Sequence, residues 1–197
     1  MPFRFSSPVR LLAFLLASLL LQGCGYTLRT SKSKFVEDAK IRTLFLVAVS
    51  NNSFKPGVDS LVYNAAAKMF ASSAILKLVH SEEQADVLLN MVVLAADLTP
   101  GSTSAVPVGK YTFQVANQYT AKLQVGFGLF RRNPINGKSV PIWGTTLDRS
   151  TAINAPFQPG VAGTTIALTN ESEFDRALGE MAQGLMIDVQ ETMFSGF

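Results

Sequence analysis

Few residues of this chain could carry chemistry, and the most informative is a single cysteine near its start. Cys24 is the only cysteine and His80 is the only histidine. A single cysteine excludes an intrachain disulfide and a cysteine zinc site. As a general base, His80 would need a nucleophile and an orienting partner, and the sequence supplies no such set. We therefore interpret His80 as a surface residue and predict a protein that is not an enzyme, with no metal or cofactor.

Cys24 stands at the end of a segment with the features of a secretion signal. Arg4 and Arg10 form a basic start, residues 11–21 form an apolar run, and Gly23 directly precedes the cysteine. The run is too short to span a bilayer and ends at a cleavage-like site. The four residues that end at Cys24 resemble the bacterial lipobox, which implies cleavage before the cysteine and lipidation of its sulfur and new amine. The alternative is an ordinary signal peptide or an uncleaved anchor.

The lipobox predicts three segments. Residues 1–23 are a signal peptide that is removed, residues 24–40 are a lipidated N-terminus and polar tether, and residues 41–197 are a single domain. Several acyl chains give stable anchoring, so the mature protein is expected on a membrane face outside the cytoplasm. Gly25 replaces the Asp that favours inner-membrane retention, which indicates the periplasmic side of the outer membrane.

The charge balance argues against a nucleic-acid partner. The whole chain has 17 basic and 14 acidic side chains, not counting histidine. Removal of the signal takes away Arg4 and Arg10 and no acid, which leaves 15 basic against 14 acidic residues, a balance of +1. Nucleic-acid binding requires a dense basic patch, which this composition does not indicate.

Hydrophobic periodicity predicts an α+β domain. Apolar stripes at three- and four-residue spacing indicate helices, while short apolar or alternating runs indicate strands. The predicted helices cover 57–74 and 171–194, and the predicted strands cover 41–49, 85–98, 117–131 and 138–148. We expect a two-layer sandwich with both helices on one face of a mostly antiparallel four-stranded sheet.

Four further expectations concern local structure. Alternation along 117–131 predicts that Tyr119, Leu123 and Phe127 are buried while Lys122 and Gln124 are exposed. Asn-Gly at 136–137 predicts a hairpin turn. Asn170 is interpreted as the cap of the last helix. The segments 99–116 and 148–170 are predicted to be long loops.

Five basic residues are candidates for binding anionic groups. Arg131 and Arg132 face Lys138 across the predicted hairpin turn, while Lys110 and Arg149 lie in the two predicted loops and could reach the same end of the sheet. Arginine binds phosphate and carboxylate groups through paired contacts. The alternative is that these charges only solvate the surface.

Several segments resemble the LptE family of lipopolysaccharide-assembly lipoproteins. Residues 24–28 match the cysteine-glycine-aromatic opening of that family, residues 51–57 follow the first predicted strand and lead into a helix, and residues 85–88 open the second strand. A long hairpin and a closing helix that ends at Phe194 complete the likeness. The resemblance implies two helices on a four-stranded sheet and a seat in the lumen of a large outer-membrane barrel, LptD. It also implies that the protein helps this barrel to fold and to deliver lipopolysaccharide to the outer leaflet. The basic residues that contact lipopolysaccharide in that family cannot be matched to this sequence by motif, so the five candidate cations do not rest on the resemblance.

Two other classes of protein stay open. One is an auxiliary lipoprotein of an ABC-type lipid transporter or of a secretin system. It would co-purify with an inner-membrane permease or a secretin rather than with a giant barrel. The other is a lipid-anchored hydrolase, which the missing catalytic triad disfavours.

Overall fold

Two helices and a six-stranded sheet make up the described part of the chain, residues 41–132, 141–154 and 163–195 of a computed structural model. The elements in chain order are β1 (Thr43–Leu46), β2 (Ser50–Asn51), α1 (Val58–Ala71), β3 (Lys77–Leu78), a 3₁₀ turn (Glu82–Gln84), β4 (Val87–Val108), β5 (Tyr111–Arg131), β6 (Pro141–Asn154) and α2 (Gly163–Ser195). The signal, the tether and Cys24 lie outside these residues. No helix among the described residues combines the length and the apolarity needed to cross a membrane.

The sheet is mostly antiparallel, as predicted, with strand order β3-β1-β4-β5-β6 and β2 paired to β4. The β4–β5 ladder runs from Val87 opposite Arg131 to Val108 opposite Tyr111. The short β1 instead runs parallel to β4. Parallel strands need a crossover connection, and α1 lies in the connection that returns the chain to the end of the sheet where β1 began. The two extra strands relative to the prediction, β2 and β3, have only two residues each.

Both helices cover one face of the sheet, here called the inner face, as expected. Leu123 and Phe127 are buried on this face and Lys122 is exposed on the other, as predicted. The predictions that Tyr119 is buried and Gln124 is exposed are wrong, because both side chains are half-buried. The inner-face core contains fully buried side chains from both layers, including Leu44, Leu89, Met91 and Leu129 from the strands and Phe70, Leu178, Leu185, Met186 and Met193 from the helices. The opposite face is called the outer face below.

The predicted loop at 99–116 is wrong, and the predicted loop at 148–170 is wrong at both of its ends, while residues 155–162 lie outside the described residues. β4 and β5 continue through 99–116 to a tight turn at Gly109, whose φ of 62° suits glycine. Proline and small polar residues are tolerated there because only two strands pair, which leaves one edge of each strand free. β6 extends to Asn154, and α2 already begins at Gly163.

Asn170 is therefore inside α2 and is not its cap. The residues before it, including Thr164, Thr165 and Ile166, are weaker helix formers than alanine, but the difference is at most about 0.7 kcal/mol per residue. A preference of that size is too small to stop a helix from running through these residues. The predicted turn at 136–137 lies outside the described residues.

Candidate binding surfaces

The five candidate cations are not gathered at one end of the sheet. Lys110 lies in the turn between β4 and β5, whereas Arg131 ends β5 and Arg132 follows it. At about 3.3 Å per residue, the two ends of β5 are roughly 65 Å apart. Lys138 lies outside the described residues. The expectation that Lys110 reaches the same end as Arg131 and Arg132 is therefore wrong, while their role as contacts stays a prediction.

Arg149 lies on β6 and not in a loop, and its guanidinium is held by α2. Its Nε and Nη2 donate to the two carboxylate oxygens of Asp188 at 2.9 and 2.8 Å. These hydrogen bonds raise the pKa of Arg149 above its ordinary value. A Cβ atom at Gly184 would come within 2.6 Å of Nη1, so the absence of a side chain there makes room for the guanidinium. Arg149 thus connects the sheet to α2.

Arg132 leaves β5 beside a junction organised by Asp86. The Oδ2 atom of Asp86 accepts hydrogen bonds from the backbone N–H groups of Arg42 at 2.8 Å and Thr43 at 2.9 Å. The backbone N–H of Arg132 donates to the Asp86 carbonyl at 3.2 Å. Burial raises the pKa of Asp86. The hydrogen bonds to its carboxylate and the charge of Arg132 lower the pKa by a larger amount, so the net pKa is below its ordinary value. The beginnings of β1 and β4 and the end of β5 are fixed together.

The loop 51–57 is held in shape by its own side chains. The Nδ2 atom of Asn51 donates to the carbonyl of Lys55 at 2.8 Å. Its Oδ1 atom accepts from the backbone N–H and the hydroxyl of Ser53, at 2.9 and 2.7 Å. Gly57, with a φ of 83°, then turns the chain into α1. Turn formers predicted this break in the sequence, and the hydrogen bonds define one conformation.

Lys55 attaches that loop to α2. Its Nζ forms ion pairs with Glu171 and with Asp175, the latter at 2.6 Å, and lies 5.3 Å from the centroid of the Phe174 ring. Burial lowers the pKa of Lys55, but the hydrogen bonds and charges of Asp175 and Glu171 exceed this effect, so the net pKa is raised. The positive charge is matched by two carboxylates, so this contact positions the loop.

Phe54 is the most exposed large apolar side chain in the described residues, with its whole surface open to solvent. It lies between Asn51 and Gly57 in the loop that the preceding contacts hold. A fixed loop that presents an aromatic ring loses little conformational entropy when a partner binds. The sequence identified the loop as a turn but contained no signal for the exposure of the ring beyond an apolar residue among turn formers.

A shallow trench of about 650 Å³ crosses the outer face of the sheet. Its floor is made by Gly126 and Gly128 of β5 with Gly144 of β6, and Gly128 and Gly144 are direct ladder partners. Leu94, 42% exposed beside a β-bulge, and Phe130 form its walls.

The glycines leave room for those walls. A Cβ at Gly128 would lie 2.8 Å from the Phe130 ring, and one at Gly126 would lie 3.7 Å from the Leu94 side chain. Larger side chains at either floor position would therefore fill or reshape the trench. The β5 wall of the trench ends at Phe130. Arg131 comes next but lies on the inner-face side, as the ladder partner of buried Val87, and Arg132 follows the end of the strand.

The described residues contain no cluster of three or more His, Cys, Asp or Glu side chains that could hold a metal ion. No family model and no curated protein matches the sequence. Several solved structures are similar in fold. The hypothetical protein CT253 from Chlamydia trachomatis is 14% identical, with 78% of this chain and 95% of that chain covered and a TM-score of 0.47.

Two further solved structures are similar in fold. The PelC dodecamer from Paraburkholderia phytofirmans is 13% identical, with 76% of this chain and 86% of that chain covered and a TM-score of 0.45. The rare lipoprotein B from Shewanella oneidensis is 14% identical, with 79% and 96% covered and a TM-score of 0.41. Likenesses this distant assign the chain to no family and carry no argument about its function.

Proposed function

We propose that the protein is an outer-membrane lipoprotein, anchored through Cys24, that binds a large LptD-type β-barrel. In this role it assists the assembly of the barrel and the delivery of lipopolysaccharide to the outer leaflet. The proposal rests on the lipobox and on the resemblance of residues 24–28, 51–57 and 85–88 to the LptE family. The observation that carries it is the fixed loop 51–57, which belongs to that resemblance and presents Phe54 to solvent.

An exposed aromatic ring on a fixed loop is suited to anchoring a protein partner. Interface cores are enriched in aromatic residues, and a few such anchors supply most of the binding energy. Lys55, next to Phe54, is already paired with Glu171 and Asp175, so the loop presents an apolar ring and not a free charge. The lumen of a large barrel is polar. The mature protein has a net charge near zero, which is compatible with a surface that faces such a lumen.

In the lipopolysaccharide step, the trench and its neighbouring arginines would act together. Lipopolysaccharide combines acyl chains with phosphates or acidic sugars. An acyl chain could lie against the glycine floor between Leu94 and Phe130, while Arg132, just beyond the end of β5, contacts the anionic groups. Arg131 could contribute only from the same end of the strand, because it lies on the inner-face side. Among the five candidate cations, this arrangement favours the Arg131 and Arg132 end over Lys110.

The barrel complex is tested by co-purification of the full-length lipidated protein from outer membranes. Phe54→Ala should reduce the amount of bound barrel about tenfold, the size of effect produced by losing one interface anchor. Tyr63→Ala is the matched control, because Tyr63 is 39% exposed on α1, outside the loop, and its loss should change little. Recovery of a permease or a secretin instead of a barrel would support the alternative class.

Depletion provides the functional test. Loss of the protein should leave the barrel misassembled and reduce lipopolysaccharide at the cell surface. Normal barrel levels and normal surface lipopolysaccharide after depletion would contradict the proposal. Cys24→Ser should separately block processing and lipidation, and wild-type mature protein found soluble in the periplasm would overturn the anchor.

The lipopolysaccharide contact is tested by binding at low ionic strength. Arg131→Ala with Arg132→Ala should weaken binding, and adding Lys138→Ala should weaken it further. Each exposed charge contributes only about 0–1 kcal/mol, so the combined change is expected to be modest. Lys110→Ala, at the opposite end of β5, is the matched control. An equal effect of the control would remove the preference for the arginine end.

A further inference from the structure

Beyond Leu98, β4 and β5 continue as a projecting ribbon, here called the arm, which comprises residues 99–117 and, in the described ranges, has only two strands beyond Ser102. β6 pairs with β5 only from Gln118 onward, and β2 pairs with β4 only at Val92 and Val93. Within the part of the chain that the structure describes, the arm therefore has no third strand beyond Ser102. An isolated two-stranded ribbon is only marginally stable in water, and a third strand or a covering layer is needed for stability.

The arm is nearly free of charge and carries exposed aromatic rings. Between Asp97 and Lys122 the only charged residue is Lys110, at the turn. Tyr111 is 73% exposed and Phe113 is 52% exposed. Val106 is paired with Phe113 and Ser104 with Val115. Because directly paired residues share a face of an antiparallel ladder, Val106, Phe113 and Val115 lie on one face.

The two free edges of the arm differ in how well they are protected. The β4 edge contains Pro100 and Pro107, which have no N–H to donate, and the ladder register shifts between Pro100 and Ser102. These features discourage the addition of a strand. The β5 edge over 111–117 contains no proline, glycine or charge, and it is rich in residues that favour strands. Among the described residues, only the β5 edge of the arm is open to pairing.

We propose that two copies of this chain pair through the β5 edges of their arms, in antiparallel orientation centred on Gln114. This pairing places Phe113 opposite Val115 of the second copy and Thr112 opposite Ala116. An aromatic residue opposite a β-branched one is a favourable cross-strand pair. The pairing runs from Tyr111 opposite Asn117 to Asn117 opposite Tyr111 and stops there, because Gln118 already pairs with Asn154 of β6. The paired segment contains no charged residue, so no like charges meet. The arms together then form a four-stranded sheet.

A strand of a second copy fits this edge better than a lipid surface does. Hydrocarbon cannot satisfy the free N–H and C=O groups of an open strand edge, whereas an antiparallel strand satisfies them fully. Pairing of an edge with itself is two-fold symmetric. Because the β4 edges carry prolines, assembly stops at the dimer. The inference does not depend on the barrel, and we expect Phe54→Ala to leave the dimer intact.

The first test measures the dimer dissociation constant of the full-length protein in detergent. Gln114→Lys places two lysines directly opposite each other and should weaken the dimer about fivefold. Ala105→Lys is the matched control, since Ala105 is exposed and is the ladder partner of Gln114 on the protected strand. A mixture of Gln114→Lys and Gln114→Glu chains should recover wild-type affinity. Equal weakening by both lysine variants, or no recovery in the mixture, would overturn the proposal.

The second test needs no estimate of affinity. Gln114→Cys should form a disulfide-linked dimer in the envelope of intact cells, while Ser104→Cys on β4 should not. Wild-type protein, whose only cysteine is Cys24, is the baseline. Wild-type protein that is monomeric at every concentration, a cysteine scan of 111–117 that yields no dimer, or a link from Gln114→Cys to a different protein would each overturn the proposal.

Discussion

Along β5, neighbouring residues occupy two very different environments. Leu123, Val125 and Leu129 are fully buried on the inner face under α1 and α2. Gly126 and Gly128, which alternate with them, remain partly exposed on the outer face. The same strand therefore contributes a packed core on one side and an open trench on the other.

This difference separates residues that stabilise the fold from residues that are available to a ligand. Glycine inside a strand contributes no side chain to packing and costs roughly 0.5–1 kcal/mol relative to alanine. Gly126, Gly128 and Gly144 therefore lower the stability of the sheet by this amount, and they form the trench floor. We therefore expect inner-face variants to change unfolding and outer-face variants to change binding.

The largest effect is expected on the inner face. Leu123→Ala should lower the free energy of unfolding by about 2–5 kcal/mol, because it leaves a cavity in a closed core. Urea unfolding followed by circular dichroism measures this change. A loss below about 1 kcal/mol would mean that the helices do not seal the inner face as described.

The next effect is expected at Asp86, which belongs to neither face. Asp86→Ala should cost about 1–3 kcal/mol, because two backbone N–H groups lose their acceptor. The carboxyl pKa is lowered in the folded state, so its contribution is present above the ordinary value of 3.8 and is lost as the pH falls through the folded pKa. The stability difference between wild type and variant should shrink in acid. A difference that is constant with pH would contradict this assignment.

A smaller effect is expected where Lys55 attaches the exposed loop to α2. Lys55→Met keeps most of the apolar stem and should cost about 1 kcal/mol through the lost ion pairs. Because the pKa of Lys55 is raised, its contribution is complete below the ordinary value of 10.5 and is lost as the pH rises through the folded pKa. Unfolding measured from neutral to alkaline pH tests this direction. The variant should also bind the proposed barrel less well, since Phe54 is held less firmly.

The smallest change in stability is expected on the outer face. Leu94→Ala should alter the free energy of unfolding by no more than about 0.5 kcal/mol. It should nevertheless weaken lipopolysaccharide binding about threefold, because one wall of the trench is removed. Leu123→Ala should therefore mainly lower the free energy of unfolding, whereas Leu94→Ala should mainly weaken binding. Equal loss of stability in both variants would remove the distinction between the faces.

The periodic parts of the fold could be predicted from the sequence, and the exceptions have physical causes. Alternation along 117–131 identified Leu123 and Phe127 as buried, because a half-covered strand must alternate. The sequence predicts a loop where the arm lies, because Pro100, Gly101 and Pro107 are typical of turns. Whether a strand tolerates these residues depends on which of its edges is free, and local sequence does not contain that information. The parallel pairing of β1 follows from the path of α1, which local patterns do not contain.

The candidate sites were harder to predict because they depend on distance in space. Arg149 was grouped with Arg131 by charge, yet it pairs with Asp188, a residue 39 positions away in the chain. Lys110 and Arg131 lie at opposite ends of one strand. The sequence shows Gly126 and Gly128 within a predicted strand. Their position beside Gly144 depends on the β5–β6 register, which the sequence does not reveal. The sequence identifies the types of residue that could form a site, whereas the register of the strands determines which of these residues lie close together.

The different chain separations in the sheet also have a kinetic consequence. β4 and β5 are joined by one tight turn at Gly109, whereas Leu44 of β1 pairs with Val87 only after α1 has been placed between them. Closing a short loop costs less entropy, so we expect the hairpin to form before β1 docks. Destabilising substitutions at Gly109 should then slow folding, while those at Leu44 should mainly accelerate unfolding. Until β1 docks, the edge of β4 that it covers is open to proteolysis.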